Sequence, residues 1–208
     1  APVPGVAKTR LASAVGPDTA ADIAAAALID TLDAVAAAPV TARVVALTGD
    51  LDIACRSGEI RRRMNDFAVI PQHGSDFADR LANAHADAAA TAGPQPVLQI
   101  GMDTPQVTAA LLTRCCDVLL ASPAVLGMAT DGGWWVLGGH TPTAADVLRA
   151  VPMSQDDTGA VTLRALQDTG ITVTLLDELR DVDTVDDVVA VRELSPPDSL
   201  FVQTTQGV

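Results

Sequence analysis

The sequence predicts an α/β domain with a mostly parallel sheet flanked by helices in three α/β/α layers. Short β-branched runs closed by Gly or Pro alternate with longer Ala-rich stretches of helical periodicity. The 208 residues suit one domain, since domains commonly run ~100–200 residues. There is no internal repeat and no linker-like composition.

In chain order, Gly16-Pro17-Asp18 punctuates the start of a helix running to about Ala37, with Ile23, Ala27, Leu28, Leu32 and Val35 as its apolar stripe. Arg43 to Thr48 reads as a strand closed by Gly49-Asp50, and Phe67 to Ile70 as a second, ended by Pro71. A helix over Ser75 to about Thr91 follows, then a strand over Val97 to Ile100 ended by Gly101, then a helix over Val107 to about Leu120. Val125 to Met128 and Trp134 to Leu137 are strands around a tight Asp131-Gly132-Gly133 turn. A helix over Thr158 to Gln167, a strand over Ile171 to Leu176 and a helix over Thr184 to Leu194 complete the pattern. The domain is thus expected over 1–194, with 195–208, after Ser195-Pro196-Pro197, as a loose tail. The opening Ala1-Pro2-Val3-Pro4-Gly5 is loop chemistry where an α/β domain ordinarily starts with a strand, so a strand upstream is expected.

Composition narrows the function. Thirteen Lys and Arg face 26 Asp and Glu, a formal charge of −13, which argues against a nucleic-acid face and against a polybasic membrane patch. No apolar run is long enough to span a bilayer. Three cysteines, two of them adjacent, make no disulfide framework and suit a reducing cytoplasm.

In open α/β sheets ligands gather at the carboxyl ends of strands, and several constellations fall on such loops. Lys8 and Arg10 follow a Pro-Gly turn. They are either a phosphate cradle, one a point charge and the other a fork, or part of a solvated loop. Asp103, in Gly101-Met102-Asp103-Thr104-Pro105, is placed to hold Mg²⁺ or to cap the next helix. Asp131-Gly132-Gly133-Trp134-Trp135 offers either a pocket wall or a hairpin turn with a packed aromatic. Asp181-Val182-Asp183-Thr184 reads first as the capped start of the last helix, with a metal role for Asp183 if Asp103 lies opposite. Gln72 and Gly74, in Pro71-Gln72-His73-Gly74, sit on a loop whose amide could read a base edge. The three histidines show no zinc spacing.

Taken together and in order, five motifs resemble the glycosyltransferase-A-like (GT-A-like) family of small bacterial proteins often described as arsenosugar-biosynthesis-type glycosyltransferases. That family lies within the nucleotide-diphospho-sugar transferase superfamily. The motifs are the P-x-P-G-x-x-K-T-R-L opening, the P-Q-x-G loop with R-L following, I-G-M-D-T-P, D-G-G-W-W-x-L-G, and D-V-D-T with its acidic helix; they span Ala1 to about Leu194. The resemblance implies a Rossmann-like GT-A fold and a metal-dependent transferase using a nucleotide-activated donor. Lys8 and Arg10 would meet the phosphates, and Gln72 and Gly74 the base. Asp103 and Asp183 would hold Mg²⁺ or Mn²⁺. Asp103 and Asp131 would serve catalysis, and Gly132, Gly133 and Trp134 would line the sugar or acceptor pocket. The first expectation is glycosyl transfer from a nucleoside diphosphate (NDP) sugar. Related chains carry a strand before the opening loop, and GT-A glycosyltransferases usually show D-x-D where Met102-Asp103-Thr104 offers one aspartate. The single-Asp form is similar to nucleotidyltransferases that join an NTP to a phosphorylated acid, which is the alternative expectation; a non-catalytic nucleotide-binding protein is a third.

Overall fold

Helices and strands alternate through the computed structural model, which describes all residues, Ala1–Val208. The helices are α1 (Thr9–Val15), α2 (Pro17–Ala37), α3 (Ser57–Arg63), α4 (Phe77–Ala92), α5 (Ala109–Leu120), α6 (Thr158–Asp168), α7 (Val185–Leu194) and α8 (Leu200–Thr204). The strands are β1 (Val44–Leu47), β2 (Ala68–Pro71), β3 (Val97–Ile100), β4 (Ala124–Ala129), β5 (Trp134–Gly139) and β6 (Val173–Leu179). No helix is long and apolar enough to cross a membrane.

Local chemistry sets the boundaries. Pro17 occupies the first turn of α2, where its missing N–H costs nothing. Asp76 and Thr108 cap α4 and α5 by accepting the N–H groups of Asp79 and Leu111. The Ala-rich middle of α2 is buried on several sides, because small side chains let neighbouring elements approach closely.

The strands form two sheets. One has the order β3-β5-β4-β6, in which β4 and β6 are parallel and β5 runs antiparallel to both β3 and β4. Within it β3, β4 and β6 therefore share one direction. The hairpin joining β4 to β5 turns at the expected Asp131-Gly132-Gly133. The second sheet is the parallel pair β1-β2. The same helices serve both sheets: Val35 of α2 packs against the apolar clusters beside β1 and beside β3, and α4 lies against β1, β2 and β3. No hydrogen bonds join β1 to β3. Leu47 O accepts from Gln72 N on the β2 side at 2.8 Å. The next carbonyl, Thr48, accepts from the Ala1 ammonium at 2.7 Å, so Ala1 lies at the edge of β1 that β2 leaves free.

The expectation of a loose tail after Ser195-Pro196-Pro197 is corrected. Residues Leu200–Thr204 form α8, and Phe201 is fully buried among Leu11, Ile23, Val182, Val188 and Val191. The Asp30 carboxylate, on α2, accepts the N–H groups of Leu200 and Phe201 at 2.9 and 2.8 Å, satisfying donors that the short helix leaves open. Burial pushes the Asp30 carboxyl up and these two bonds oppose it.

Candidate functional site

Two loops at strand ends bring three carboxylates together. Asp103 follows β3 and Asp181 and Asp183 follow β6. Val182 N donates to Asp103 O at 3.0 Å, and Gln106 Nε2 donates to Arg180 O at 2.6 Å, so the loops are tied to each other. In an extended segment alternate side chains share a side. Val182 is buried in the core, and Asp181 and Asp183 both face Asp103. One oxygen from each of the three lies within 4.8 Å of the others.

Capping is done by neighbours. Thr108, not Asp103, caps α5. Thr184 and Asp187 form a capping box at α7, and the Asp187 carboxylate takes the N–H groups of Asp183 and Thr184 and the Arg180 guanidinium. The carboxylates of Asp103 and Asp183 are thereby left to other partners.

Their partner is Lys8. Its Nζ donates to Asp103 Oδ2 at 2.8 Å and to Asp183 Oδ1 at 2.7 Å, with the side chain only 12% exposed. Arg10 is mostly exposed and reaches Asp183 at 3.4 Å. Burial alone would push the Lys8 ammonium down, but the Asp103 and Asp183 carboxylates outweigh it and hold the value above the usual one. The Asp181 carboxyl is pushed up to about 6, first by burial and then by the charges of Asp131, Asp103 and Asp183. One buried ammonium and one exposed guanidinium therefore face the three carboxylates, with the charge of Asp131 added to theirs. The donors are hard oxygens, as Mg²⁺ and Mn²⁺ require, and a cation already fits between two of them. The donor set fits such an ion, which Asp103, Asp181 and Asp183 would hold.

Asp181 is the member of this cluster that reading for helix caps passes over. Its signal is the period-two spacing of Asp181-Val182-Asp183, a D-x-D at the end of a strand. Asp131 stands beside the cluster without being one of the three, and its Oδ1 accepts from Gly133 N at 2.8 Å. Gly132 packs against the 156–159 turn: a Cβ there would run into the Asp156 carbonyl, and its own carbonyl accepts from Gly159 N. Trp135 is buried with Nε1 donating to Asp177 O, while Trp134 is half-buried beside the cluster of Leu126, Leu137 and Leu148. Gln72 lies apart from the acidic cluster, lining a cleft of about 440 Å³ with Leu47, Thr48, Val69 and Ile70 at the ends of β1 and β2. Gly74, at φ 149, packs so closely on α4 that a Cβ would come within 2.7 Å of Arg80 N.

The chain belongs to the DUF2064 family, described as an uncharacterized protein conserved in bacteria, whose family model matches residues 31–155. That span includes Gln72, Asp103 and Asp131 and excludes Lys8, Asp181 and Asp183. No curated protein matches the sequence. Among solved structures, a "putative nucleotide-diphospho-sugar transferase" from Desulfovibrio desulfuricans G20 is 25% identical, with a TM-score of 0.82 over 98% of this chain and 89% of that one. Rv0371c from Mycobacterium tuberculosis H37Rv is 23% identical, with a TM-score of 0.54 over 80% of this chain and 83% of that one. A nucleotidyl transferase from Methanothermobacter thermautotrophicus is 19% identical, with a TM-score of 0.52 over 86% and 81%. The likeness to the last two is one of fold. The α/β architecture is thus that of the nucleotide-diphospho-sugar transferases, in agreement with the motif resemblance.

Proposed function

We propose that this chain is a divalent-cation-dependent transferase acting on a nucleotide-activated donor, with a glycosyl group taken from an NDP-sugar as the first reading. The observation that carries it is the meeting of Lys8 with Asp103, Asp181 and Asp183 at the ends of β3 and β6. The likeness to the Desulfovibrio protein, named for nucleotide-diphospho-sugar transfer, supports the same class. In this reading Asp103, Asp181 and Asp183 hold Mg²⁺ or Mn²⁺, which when bound neutralises charge on the diphosphate leaving group. Lys8 and Arg10 meet the phosphates. Gln72 offers the base one donor and one acceptor at the β1-β2 cleft, on the loop that Gly74 closes. Residues 1–8 run from Thr48, at that cleft, to Asp103 and Asp183, so the base cleft and the acidic cluster are the two ends of one backbone segment. Asp131 orients a sugar or acceptor hydroxyl beside the cluster, with Gly132, Gly133 and Trp134 as the wall. The free cysteines suit a reducing cytoplasm.

A second reading, nucleotidyl transfer from an NTP to a phosphorylated acid, is favoured by the lone aspartate of Asp103-Thr104-Pro105. The two differ in the bond broken. Glycosyl transfer releases a nucleoside diphosphate, and nucleotidyl transfer releases pyrophosphate. A product assay with Mg²⁺ or Mn²⁺, run over NDP-sugars and separately over NTPs with phosphorylated acids, is expected to yield a nucleoside diphosphate. Pyrophosphate release that depends on a phosphorylated acid, with no NDP-sugar turnover, selects the second reading. Turnover of neither, with nucleotide binding retained, leaves a binding protein.

A further inference from the structure

Lys8 is the one lysine in the sequence, and the other twelve cationic side chains are arginines. Its ammonium sits between Asp103 and Asp183, the two carboxylates that converge with Asp181. A divalent ion held by all three would call on the same two carboxylates. Lysine is suited to giving up such a post, because its compact point charge rides on a flexible stem, whereas an arginine fork locks two oxygens at once. The stem leaves the backbone at the residue before α1, at φ 49 and ψ 53, rather than from a helix interior. Displaced with nothing to receive it, the ammonium would lose both partners; a diphosphate at the site offers it new oxygen acceptors.

We propose that Lys8 is the resident cation of the acidic site and is exchanged for the metal when a diphosphate draws the ammonium away, so that metal and nucleotide bind cooperatively. The inference rests on the reading of this site as one for metal and diphosphate. Coupling of this kind is reciprocal: each ligand raises the affinity for the other by the same factor, typically ~5–150-fold.

A single lysine makes the exchange directly visible. The full chain labelled with ¹³C at lysine Cε gives one side-chain NMR signal, and inorganic pyrophosphate is a probe that carries the diphosphate without a base. Mg²⁺ alone is expected to leave the signal in place, and Mg²⁺ with pyrophosphate to move it. Movement by Mg²⁺ alone at the same concentration as with pyrophosphate overturns the proposal and needs no variant. Mn²⁺ titrations add the second arm. Lys8→Met is expected to bind Mn²⁺ roughly tenfold more tightly than the wild type without pyrophosphate, and to gain less from adding it. Lys8→Arg, which keeps the charge, is expected to stay weak. Equal or weaker Mn²⁺ binding by Lys8→Met, with Asp103→Asn abolishing it, overturns the exchange and spares the metal reading. Unchanged Mn²⁺ binding by Asp103→Asn overturns the metal reading and the exchange with it.

Discussion

The two sheets are written in the same aliphatic alphabet, yet the central strands of one are buried while the other is half-open. In the four-stranded sheet nearly every residue of β4 and β5 is buried. In the pair, all four residues of β1 are half-buried and three of the four in β2 are exposed. Val-Val-Ala-Leu in β1 is no less apolar than Ala-Val-Leu-Gly-Met-Ala in β4. The difference is neighbours: β4 and β5 each have a strand on both sides, and β1 has one on one side only. The division extends to chemistry. The acidic cluster stands on loops of the four-stranded sheet, Gln72 and its cleft stand on the pair, and residues 1–8 connect them.

If the reacting charges are handled on one side and the base on the other, substitutions on the two sides should differ in kind as well as size. Asp103→Asn keeps size and removes charge, and is expected to lower turnover by about 10²–10³-fold while leaving the fold intact. Gln72→Ala is expected to weaken nucleotide binding by roughly tenfold, about the worth of one hydrogen bond, with turnover at saturation little changed. Steady-state kinetics on the donor identified by the product assay measure both. A larger loss of turnover from Gln72→Ala would break the division of labour.

Packing offers the next test. Leu137, in β5, is fully buried, and Leu137→Ala is expected to cost about 2–5 kcal/mol in urea unfolding. Val45→Ala, at a half-buried position of β1, is expected to cost about 1 kcal/mol. Hydrogen exchange sharpens the contrast, with β1 amides expected to exchange faster than those of β4 and β5. Placing a short β-branched segment ahead of Ala1 tests the free edge, since a strand seated there is expected to slow exchange in β1. Unchanged exchange in β1 would mean that the edge does not accept a strand.

Much of this was legible in the sequence because it is local. The α/β class follows from the alternation of runs, and the antiparallel place of β5 follows from the Asp131-Gly132-Gly133 turn. Asp103 stands out because a strand ends just before it. Lys8 stands out because cations are scarce in an acidic chain. The rest depends on distance along the chain. Nothing near Lys8 indicates Asp183, 175 positions away. The polar run around Phe201 hides a helix whose free N–H groups are satisfied by Asp30 of α2, about 170 positions earlier. Asp181 was masked by a good local explanation, since Asp-rich segments before a helix usually cap it, and only the burial of Val182 decides that its neighbours face the other way.

The smallest expected effect concerns stored charge. The Asp181 carboxyl is pushed up to about 6 by burial and by Asp131, Asp103 and Asp183, against about 3.9 in an unfolded chain. A carboxyl raised on folding holds its proton more tightly in the folded state, so stability falls as pH rises from about 4 to about 6 and the whole penalty stands above that. Asn at this position carries no charge to penalise. Asp181→Asn is therefore expected to be more stable than the wild type by about 1 kcal/mol at pH 7, a value discounted for partial exposure, and to match it below about pH 4. Asp50→Asn, on the loop after β1, keeps an oxygen for Asp52 N and is the control from the other sheet, with a change within about 0.5 kcal/mol at either pH. Urea unfolding at the two pH values separates the possibilities. A pH-dependent gain at Asp181 alone locates the strained charge on the four-stranded sheet. A loss of the same size at both pH values would mean that the Asp181 carboxylate is held as a structural acceptor, and that the acidic cluster carries no excess charge for a metal to relieve.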